Sequence, residues 1–186
     1  MAHLTRYYMY KKLKEYFKEP MDGKILGISG IKNFLPLISK KAEVLDVQYP
    51  EVDMQNLPYE NNSFDFVISD QVIEHLENPQ KAIQESYRVL KKGGYVIHTT
   101  CFMNYIHHCP RDFWRFSPEA LIFLCNDFSE IVSCEGWGNR IAILLCFISD
   151  RLRFMHIPEN KWSIRNLIGT WNEVRYPIVT WVIARK

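Results

Sequence analysis

The stretch from Phe64 to Thr100, FDFVISDQVIEHLENPQKAIQESYRVLKKGGYVIHTT, restricts the possible folds of this chain more than any other segment. Its apolar run at 64–69 is typical of a strand that is buried on both faces. A capping asparagine and a proline then begin an amphipathic helix over 78–90, which the glycine pair at 93–94 is expected to stop. A second β-rich run follows at 95–100. A strand, a helix and a strand in this order predict a parallel sheet with right-handed crossovers.

The rest of the chain extends this pattern on both sides. In chain order, we predict an amphipathic helix over 5–18, strands over 24–29 and 42–47, a very short third strand near Val52, a helix over 117–125, a strand near Ile131, an apolar helix over 141–154 and a final strand over 177–186. The two late strands predict an antiparallel hairpin that closes a mostly parallel sheet. The fold class is therefore α/β.

Length, charge and cysteine usage limit the class of protein. A chain of 186 residues, 47% of them hydrophobic, is expected to form one domain. With 23 basic and 21 acidic residues, it has no overall field that would draw it to nucleic acid, and no such partner is expected. Five cysteines without a CxxC pair, and no apolar leader, predict a cytoplasmic protein. The longest apolar run is about half of the roughly 20 residues that a membrane span requires, so no span is expected.

A series of short motifs follows the predicted elements in a fixed order. It consists of an apolar strand with a glycine turn, a strand that ends in an acid, DxxxLP, FDxVxS, EHLxxP and RVLKxGG. This ordered set, over about 23–100, resembles the class I S-adenosylmethionine-dependent methyltransferases, in particular the type 11-like group. Downstream, HHCPRDFWRFSPEAL and WGNR resemble a smaller branch of that superfamily and extend the resemblance to Arg140.

The resemblance implies a Rossmann-like class I methyltransferase fold that is reduced between its second and fourth strands. It implies a single methyltransferase-like domain over 1–186. Within it, an N-terminal helix would occupy 1–22, a cofactor-binding core 23–100, and an acceptor-side region with the closing hairpin 101–186. WGNR is expected to form a turn in which Arg140 bonds backbone carbonyls.

A cofactor site can be argued from the sheet itself. Ligands of open α/β sheets bind beyond the carboxyl ends of the strands, beside the first strand. Gly27, Ser29 and Gly30 lie there, and glycine lets the backbone turn tightly and approach a ligand. Asp46, at the end of the next predicted strand, has the spacing of about 20 residues at which a carboxylate accepts hydrogen bonds from ribose hydroxyls.

Further cofactor contacts follow from the resemblance, with S-adenosylmethionine as the implied cofactor. Asp53 would lie near the adenine amino group, and the backbone N–H of Met54 would contact the ring. The residues that follow strand 64–69 would face the methionine part of the cofactor; these are Ser69, Asp70 and Gln71. Asp70 ranks first among them because a carboxylate can pair with an ammonium group.

The first turn departs from the family pattern of an acid, a spacer and glycines. Gly27 stands at the position of the acid, and Ser29 stands at that of the first glycine. Loss of one charge-assisted hydrogen bond costs about 1.5–3 kcal/mol, or roughly ten- to hundred-fold in affinity. The first turn therefore predicts weakened cofactor binding, and the short segment between the second and fourth strands predicts a shallow adenine pocket.

Catalytic candidates cluster near the carboxyl edge of the sheet. They are His75, His107, His108, Asp112 and Arg115. Methyl transfer needs mostly positioning, and a base only where the acceptor loses a proton. His107 or His108 is the candidate base, because histidine titrates near neutral pH. Arg115 would orient an anionic or polyhydroxylated acceptor, or pair with Asp112. The expected acceptor is a small molecule or a glycan-type hydroxyl.

Other interpretations remain open at this point. A methyltransferase-like binding or scaffold protein without turnover is the main alternative, because of Gly27 and the short adenine segment. A nicotinamide-dinucleotide oxidoreductase is disfavoured, because GxGxxG is absent. Cys101, His107, His108 and Cys109 have no recognisable zinc spacing, so no metal is predicted. The apolar helix over 141–154 is expected to lie in the core or to form a homodimer surface.

Overall fold

The computed structural model describes residues 3–186. These residues contain one six-stranded sheet. The strands are β1 (Lys24–Ile28), β2 (Glu43–Val47), β3 (Phe64–Asp70), β4 (Leu90–Cys101), β5 (Glu130–Trp137) and β6 (Val179–Arg185). Their order across the sheet is β2-β1-β3-β4-β6-β5. The first four are parallel, and β6 runs antiparallel to both of its neighbours. This arrangement confirms the predicted α/β class and the antiparallel closing strands.

The described residues also contain six α-helices. They are α1 (Leu4–Tyr16), α2 (Pro79–Val89), α3 (Pro118–Leu124), α4 (Arg140–Ile148), α5 (Asp150–Arg153) and α6 (Ile164–Thr170). Short 3₁₀ turns occupy Leu35–Leu37 and Ile73–His75. The side chain of Asn78 caps α2 by accepting from the Lys81 N–H at 3.0 Å, as predicted. No helix within 3–186 has the length and apolar character needed to cross a bilayer.

Two hydrophobic cores cover the two faces of the sheet. Leu26 of β1 packs in one core with side chains of α2 and α3, whereas its neighbour Ile25 packs in the other core with side chains of α1 and α4. Successive residues of a strand point to opposite faces. A strand that is apolar at every position is therefore buried on both sides, which explains the continuous apolar runs of β1, β3 and β6.

Two local expectations are wrong. No strand forms near Val52, because the chain between β2 and β3 is a series of turns. The glycine pair does not end α2, which stops at Val89; it lies inside β4. Gly93 has a φ of +81°, and a Cβ on Gly94 would lie 2.7 Å from the Asp65 carbonyl oxygen. The glycines therefore permit the irregular pairing of β4 with β3.

The helical predictions need smaller corrections. The apolar segment 141–154 is two helices, because Ser149 is extended and caps α5. The predicted helix over 5–18 is observed as Leu4–Tyr16, with Leu4, Thr5, Met9 and Leu13 buried and Tyr16 exposed.

Candidate functional site

A cleft of about 950 Å³ opens at the carboxyl ends of β1, β2 and β3. This is the edge at which ligands bind in open α/β sheets. Its wall consists of Ile28, Ser29, Gln48, Tyr49, Val52, Asp53, Met54, Gln55, Gln71, Val72, His75, Leu76, Glu77, Cys109, Pro110, Arg111 and Phe113. Five of the predicted site residues thus face the cleft: Ser29, Asp53, Met54, Gln71 and His75.

The turn after β1 has the conformation of a glycine loop. Ser29 has a φ of 62° and Gly30 a φ of 94°, so both lie in the left-handed region. The Ser29 N–H donates to the Val47 carbonyl at 2.7 Å and thereby ties the turn to the end of β2. Apart from its chain neighbours, the one atom of residues 3–186 within 4 Å of a Cβ built on Gly30 is Gln48 Nε2, at 3.7 Å. The backbone is therefore open to close approach at Gly30.

Gly27 is buried beneath this loop and does not line the cleft. A Cβ at this position would lie 2.7 Å from Ile31 Cγ1 and 3.0 Å from Asp46 Oδ1. The Ile31 side chain is only 1% exposed. Ile31 thus fills the space beside Gly27, the position at which the family pattern has an acid.

Asp46 lies in β2 beside the loop. Its Oδ1 accepts from the Gly30 N–H at 3.2 Å, and its Oδ2 accepts from the Ile31 N–H at 3.4 Å. Asp46 is exposed but is not part of the cleft wall. An ionised carboxylate has about four acceptor sites, so these two bonds leave acceptor capacity. The bonds that Asp46 makes in this structure hold the loop.

The residues predicted to contact adenine line the cleft in the segment between β2 and β3. Asp53 Oδ1 accepts from the Gln55 backbone N–H at 2.8 Å, which fixes the turn. Met54 is buried and, with Val52, gives this part of the wall an apolar surface. An apolar wall beside a carboxylate can accept a purine ring and its amino group.

The three predicted residues at the end of β3 have different surroundings. Ser69 is fully buried and shares a 2.8 Å hydrogen bond with His98 Nδ1, and burial lowers the pKa of His98 to about 3. Gln71 has a φ of 61°, donates from Nε2 to Thr99 Oγ1 at 3.1 Å, and faces the cleft. Gln71 is therefore the one member of this trio that lines the cleft.

Asp70 is buried and is held by side chains of this chain. It accepts from the Tyr10 hydroxyl at 2.6 Å and from the Thr99 hydroxyl at 2.7 Å, and an Arg6 nitrogen lies 3.8 Å away. Burial, and then the Asp70 carboxylate, raise the pKa of Tyr10. Sequence reasoning missed Arg6 and Tyr10, since no spacing links α1 to the end of β3.

His75 lies in the cleft wall together with Arg111. Its Nδ1 is bonded to the Arg111 carbonyl. A carbonyl can only accept, so Nδ1 carries a proton, and Nε2 is the nitrogen that can accept a further proton. The ring meets His107 edge-on, with 4.9 Å between centroids.

Three of the remaining catalytic candidates, His107, Asp112 and Arg115, hydrogen-bond within the loop after β4. The Asp112 side chain is only 1% exposed. It accepts from the His107 backbone N–H at 2.7 Å and from Arg115 Nη2 at 2.9 Å. The hydrogen bond from Arg115 holds the pKa of Asp112 far below its usual range, and burial lowers the pKa of His107. Asp112 and Arg115 form the structural ion pair, and the exposed His108 lies outside the cleft wall.

One known protein family matches part of this chain. Residues 9–98, just under half of the chain, match the sequence model of the family described as "Methyltransferase domain". This part of the chain is therefore similar to class I methyltransferases. The chain's order of strands, with an antiparallel β6 between β4 and β5, is the Rossmann-like arrangement of that fold.

Two relatives define how far the sequence similarity extends. An uncharacterized protein of Methanocaldococcus jannaschii is 38% identical over 127 residues, which cover 66% of this chain and 60% of that protein. Demethylmenaquinone methyltransferase of Oceanobacillus iheyensis is 33% identical over 78 residues, which cover 40% of this chain and 33% of the relative. The alignments thus span a third to three fifths of these relatives.

A solved structure supports the fold. Phosphoethanolamine N-methyltransferase 2 of Haemonchus contortus, in complex with phosphomonomethylethanolamine and S-adenosylhomocysteine, has a TM-score of 0.61 and 17% identity to this chain. The match covers 97% of this chain and 53% of that one. At this identity, the similarity shows the fold alone.

Proposed function

We propose that this protein binds S-adenosylmethionine in the cleft and transfers its methyl group to a small molecule or to a glycan-type hydroxyl. The observation that carries the proposal is the position of the cleft, at the carboxyl ends of β1–β3 and beside the left-handed Ser29–Gly30 turn. The methyltransferase family supports the reaction type. The family structure with bound S-adenosylhomocysteine supports the cofactor.

The residues of the cleft fit the adenosine half of this cofactor. Met54 and Val52 would contact the adenine ring, and Asp53 would accept from its amino group. The open backbone at Gly30 would lie beside the ribose. Asp46 would offer its remaining acceptor sites to ribose hydroxyls. A cleft of about 950 Å³ is near the upper end of the range for small-molecule sites.

The methionine half would meet fewer charged groups. The acceptor sites of Asp70 face Tyr10 and Thr99, so Gln71 and Ser29 remain as polar wall groups. Since Ile31 stands beside Gly27, the chain has no carboxylate at the usual place. This supports an affinity below that of relatives with the complete motif, rather than a loss of binding.

When bound, the cofactor would supply an electrophilic methyl group. The chain would position the acceptor beside it and keep water out, and Arg111 and Phe113 would form the outer wall. His75 Nε2 would accept the proton from an acceptor hydroxyl, because its Nδ1 proton is held by the Arg111 carbonyl. His75 replaces His107 and His108 as our proposed base, since it alone of the three lines the cleft.

The proposed domain is the single unit predicted from the sequence. Residues 23–100 would form the cofactor core, and 101–186 would contribute the acceptor wall and the closing strands. Cys109, Pro110, Arg111 and Phe113 in the cleft wall support this division. A homodimer through α4 and α6 is part of the same proposal, because both helices expose apolar side chains.

Calorimetric titration with S-adenosylmethionine and S-adenosylhomocysteine tests cofactor binding. We expect binding by the unmodified protein and an affinity at least about ten-fold weaker in Asp53→Asn, the loss expected for one charge-assisted hydrogen bond. Asp127→Asn is the matched control, because Asp127 is exposed and outside the cleft wall. The absence of heat with either ligand at millimolar concentration would overturn the proposal. Binding without S-adenosylhomocysteine formation across a panel of quinol and glycan acceptors would favour the scaffold alternative.

His75→Gln tests the proposed base. With a hydroxyl acceptor, we expect kcat to fall by roughly 10²–10⁴-fold, since general base catalysis contributes about that much. The affinity for S-adenosylhomocysteine should change little. His156→Gln serves as the control, because His156 is exposed and lies outside the cleft wall. Equal kcat values for the two variants would exclude His75 as the base.

A further inference from the structure

Three side chains with different ligand chemistry meet behind the acceptor wall. A carboxylate oxygen of Glu74, the thiol sulfur of Cys101 and a ring nitrogen of His107 all lie within 4.8 Å of one another. Glu74 belongs to the 3₁₀ turn after β3, Cys101 ends β4, and His107 lies in the following loop. Three separate parts of the chain thus converge on one point.

Glu74 has an incomplete set of hydrogen bonds at this point. The side chain is fully buried. Its Oε2 accepts from the Thr100 hydroxyl at 2.8 Å, whereas Oε1 is buried with no partner among residues 3–186. An unpaired buried carboxylate oxygen is costly, and a bound cation removes that cost.

His107 is oriented as metal-binding histidines are. Its Nδ1 lies 3.1 Å from Asp112 Oδ2 and 3.3 Å from the Tyr105 carbonyl oxygen. The Asn104 amide nitrogen also lies 3.3 Å from Nδ1, but the two oxygens can only accept, so the tautomer with the proton on Nδ1 satisfies both oxygens and leaves the free lone pair on Nε2. Histidine ligands of metals typically donate their other N–H to a carboxylate or a carbonyl. Arg115 in turn fixes Asp112.

We propose that Glu74, Cys101 and His107 bind a zinc ion. Thiolate and imidazole ligands favour zinc over magnesium or calcium, and three protein ligands leave a fourth position for water. Zinc bonds of about 2.0–2.3 Å place tetrahedral ligand atoms roughly 3.3–3.8 Å apart, so the three side chains would close by about 1 Å. Cys101 binds as the thiolate, and its proton passes to solvent.

The position of the site suggests its effect on the cleft. His107 contacts the ring of His75, which lines the cleft, and the backbone carbonyl of Glu74 accepts from the N–H groups of Phe113 and Trp114. A zinc ion would therefore tie the loop after β4 to the turn after β3. It would hold the acceptor wall in one arrangement.

Metal binding by the full chain tests this site. After loading with zinc and dialysis, we expect about one equivalent per chain. With Co²⁺ we expect a thiolate-to-cobalt charge-transfer band. Cys101→Ser and His107→Gln should each lose at least about ten-fold in metal affinity. Cys109 and His108 are exposed and do not belong to the group of three, so they provide matched controls. Cys109→Ser and His108→Gln should bind the metal as tightly as the unmodified protein does.

Two results would overturn the site. One is the absence of retained metal in the unmodified protein. The other is retention of the charge-transfer band in Cys101→Ser. Circular dichroism establishes that each variant is folded, and Glu74→Gln, which preserves the side-chain volume, provides a third ligand variant. Because none of these measurements uses S-adenosylmethionine, failure here leaves the proposed methyl transfer unaffected, and the reverse also holds.

Discussion

Ile31 changes the chemistry of the first turn by occupying the space beside Gly27. The pair is mutually dependent, because a side chain at position 27 would overlap Ile31 Cγ1 at 2.7 Å. Gly27 is also an ordinary strand residue, so the restriction there is steric rather than conformational. Adding an acid at position 27 would therefore require a smaller residue at position 31.

A double-mutant cycle tests this dependence. Gly27→Ala should lower the free energy of unfolding by about 1–3 kcal/mol, the usual cost of overpacking a core. In an Ile31→Ala background the same change should cost at least about 1 kcal/mol less, because the two side chains no longer overlap. Urea denaturation measures both values.

Gly93→Ala provides the control for this cycle. Its cost arises from a positive φ, because a Cβ there would meet no atom of the described residues nearer than 3.8 Å, apart from its chain neighbours. That cost should be additive with Ile31→Ala. A Gly27→Ala cost that is the same in both backgrounds would show that Ile31 does not determine the residue at position 27.

At the scale of elements, the WGNR segment joins β5 to the C-terminal helices. The Asn139 side chain caps α4 by accepting from the Ala142 N–H at 2.7 Å. Its amide donates to the carbonyls of Ile168 and Trp171, each at 2.9 Å. Arg140 pairs with the carboxylate of Glu173 at 2.8 Å, so the expectation that Arg140 bonds carbonyls is wrong. Asn139 makes those bonds.

Asn139→Ala and Arg140→Ala should therefore differ strongly. We expect Asn139→Ala to lower the free energy of unfolding by about 2–4 kcal/mol, since it removes a cap, the side-chain donor to the Ile168 carbonyl and one of the two side-chain donors to the Trp171 carbonyl. Arg140→Ala should cost less than about 1 kcal/mol, because the Arg140 side chain is 66% exposed. Thermal and urea unfolding measure the difference, and equal costs would contradict the assignment.

At the scale of the whole molecule, α4 and α6 expose apolar stripes. On α4 these are Ile141, Leu144, Phe147 and Ile148, and on α6 they are Ile164 and Leu167, followed by Trp171 directly after the helix. The spacing of three or four residues places each set on one face of its helix. The two helices also contact each other. Contiguous exposed apolar surface of this kind is typical of a protein interface.

Sedimentation tests the proposed homodimer. We expect the protein to sediment as a dimer at micromolar concentration and a Leu144→Asp/Phe147→Asp variant to sediment as a monomer, because burying two carboxylates in an apolar interface is unfavourable. Phe123→Asp on α3 is the control, since Phe123 is 70% exposed on another helix and should leave the dimer intact. A monomer for the unmodified protein would contradict the proposal.

Much of the architecture was predictable from the sequence, because the signals are local. The apolar run of β3, the Asn78 cap and the amphipathic α2 each depend on neighbouring residues. The glycine pair misled, since a glycine that permits an irregular strand and one that ends a helix look alike in sequence. The loop of Ser29 and Gly30, and the cleft-lining Asp53 and Met54, followed from motif order.

The sequence by itself determined the order of strands and helices, the reduced segment after β2 and the edge of the sheet where a ligand would bind. Only the tertiary structure decided which way the polar side chains face. Asp46 bonds the loop, Asp70 bonds α1, and Glu74 meets Cys101 and His107. Periodicity along a chain reports burial, whereas the partner of a polar group depends on contacts between residues that are distant in sequence.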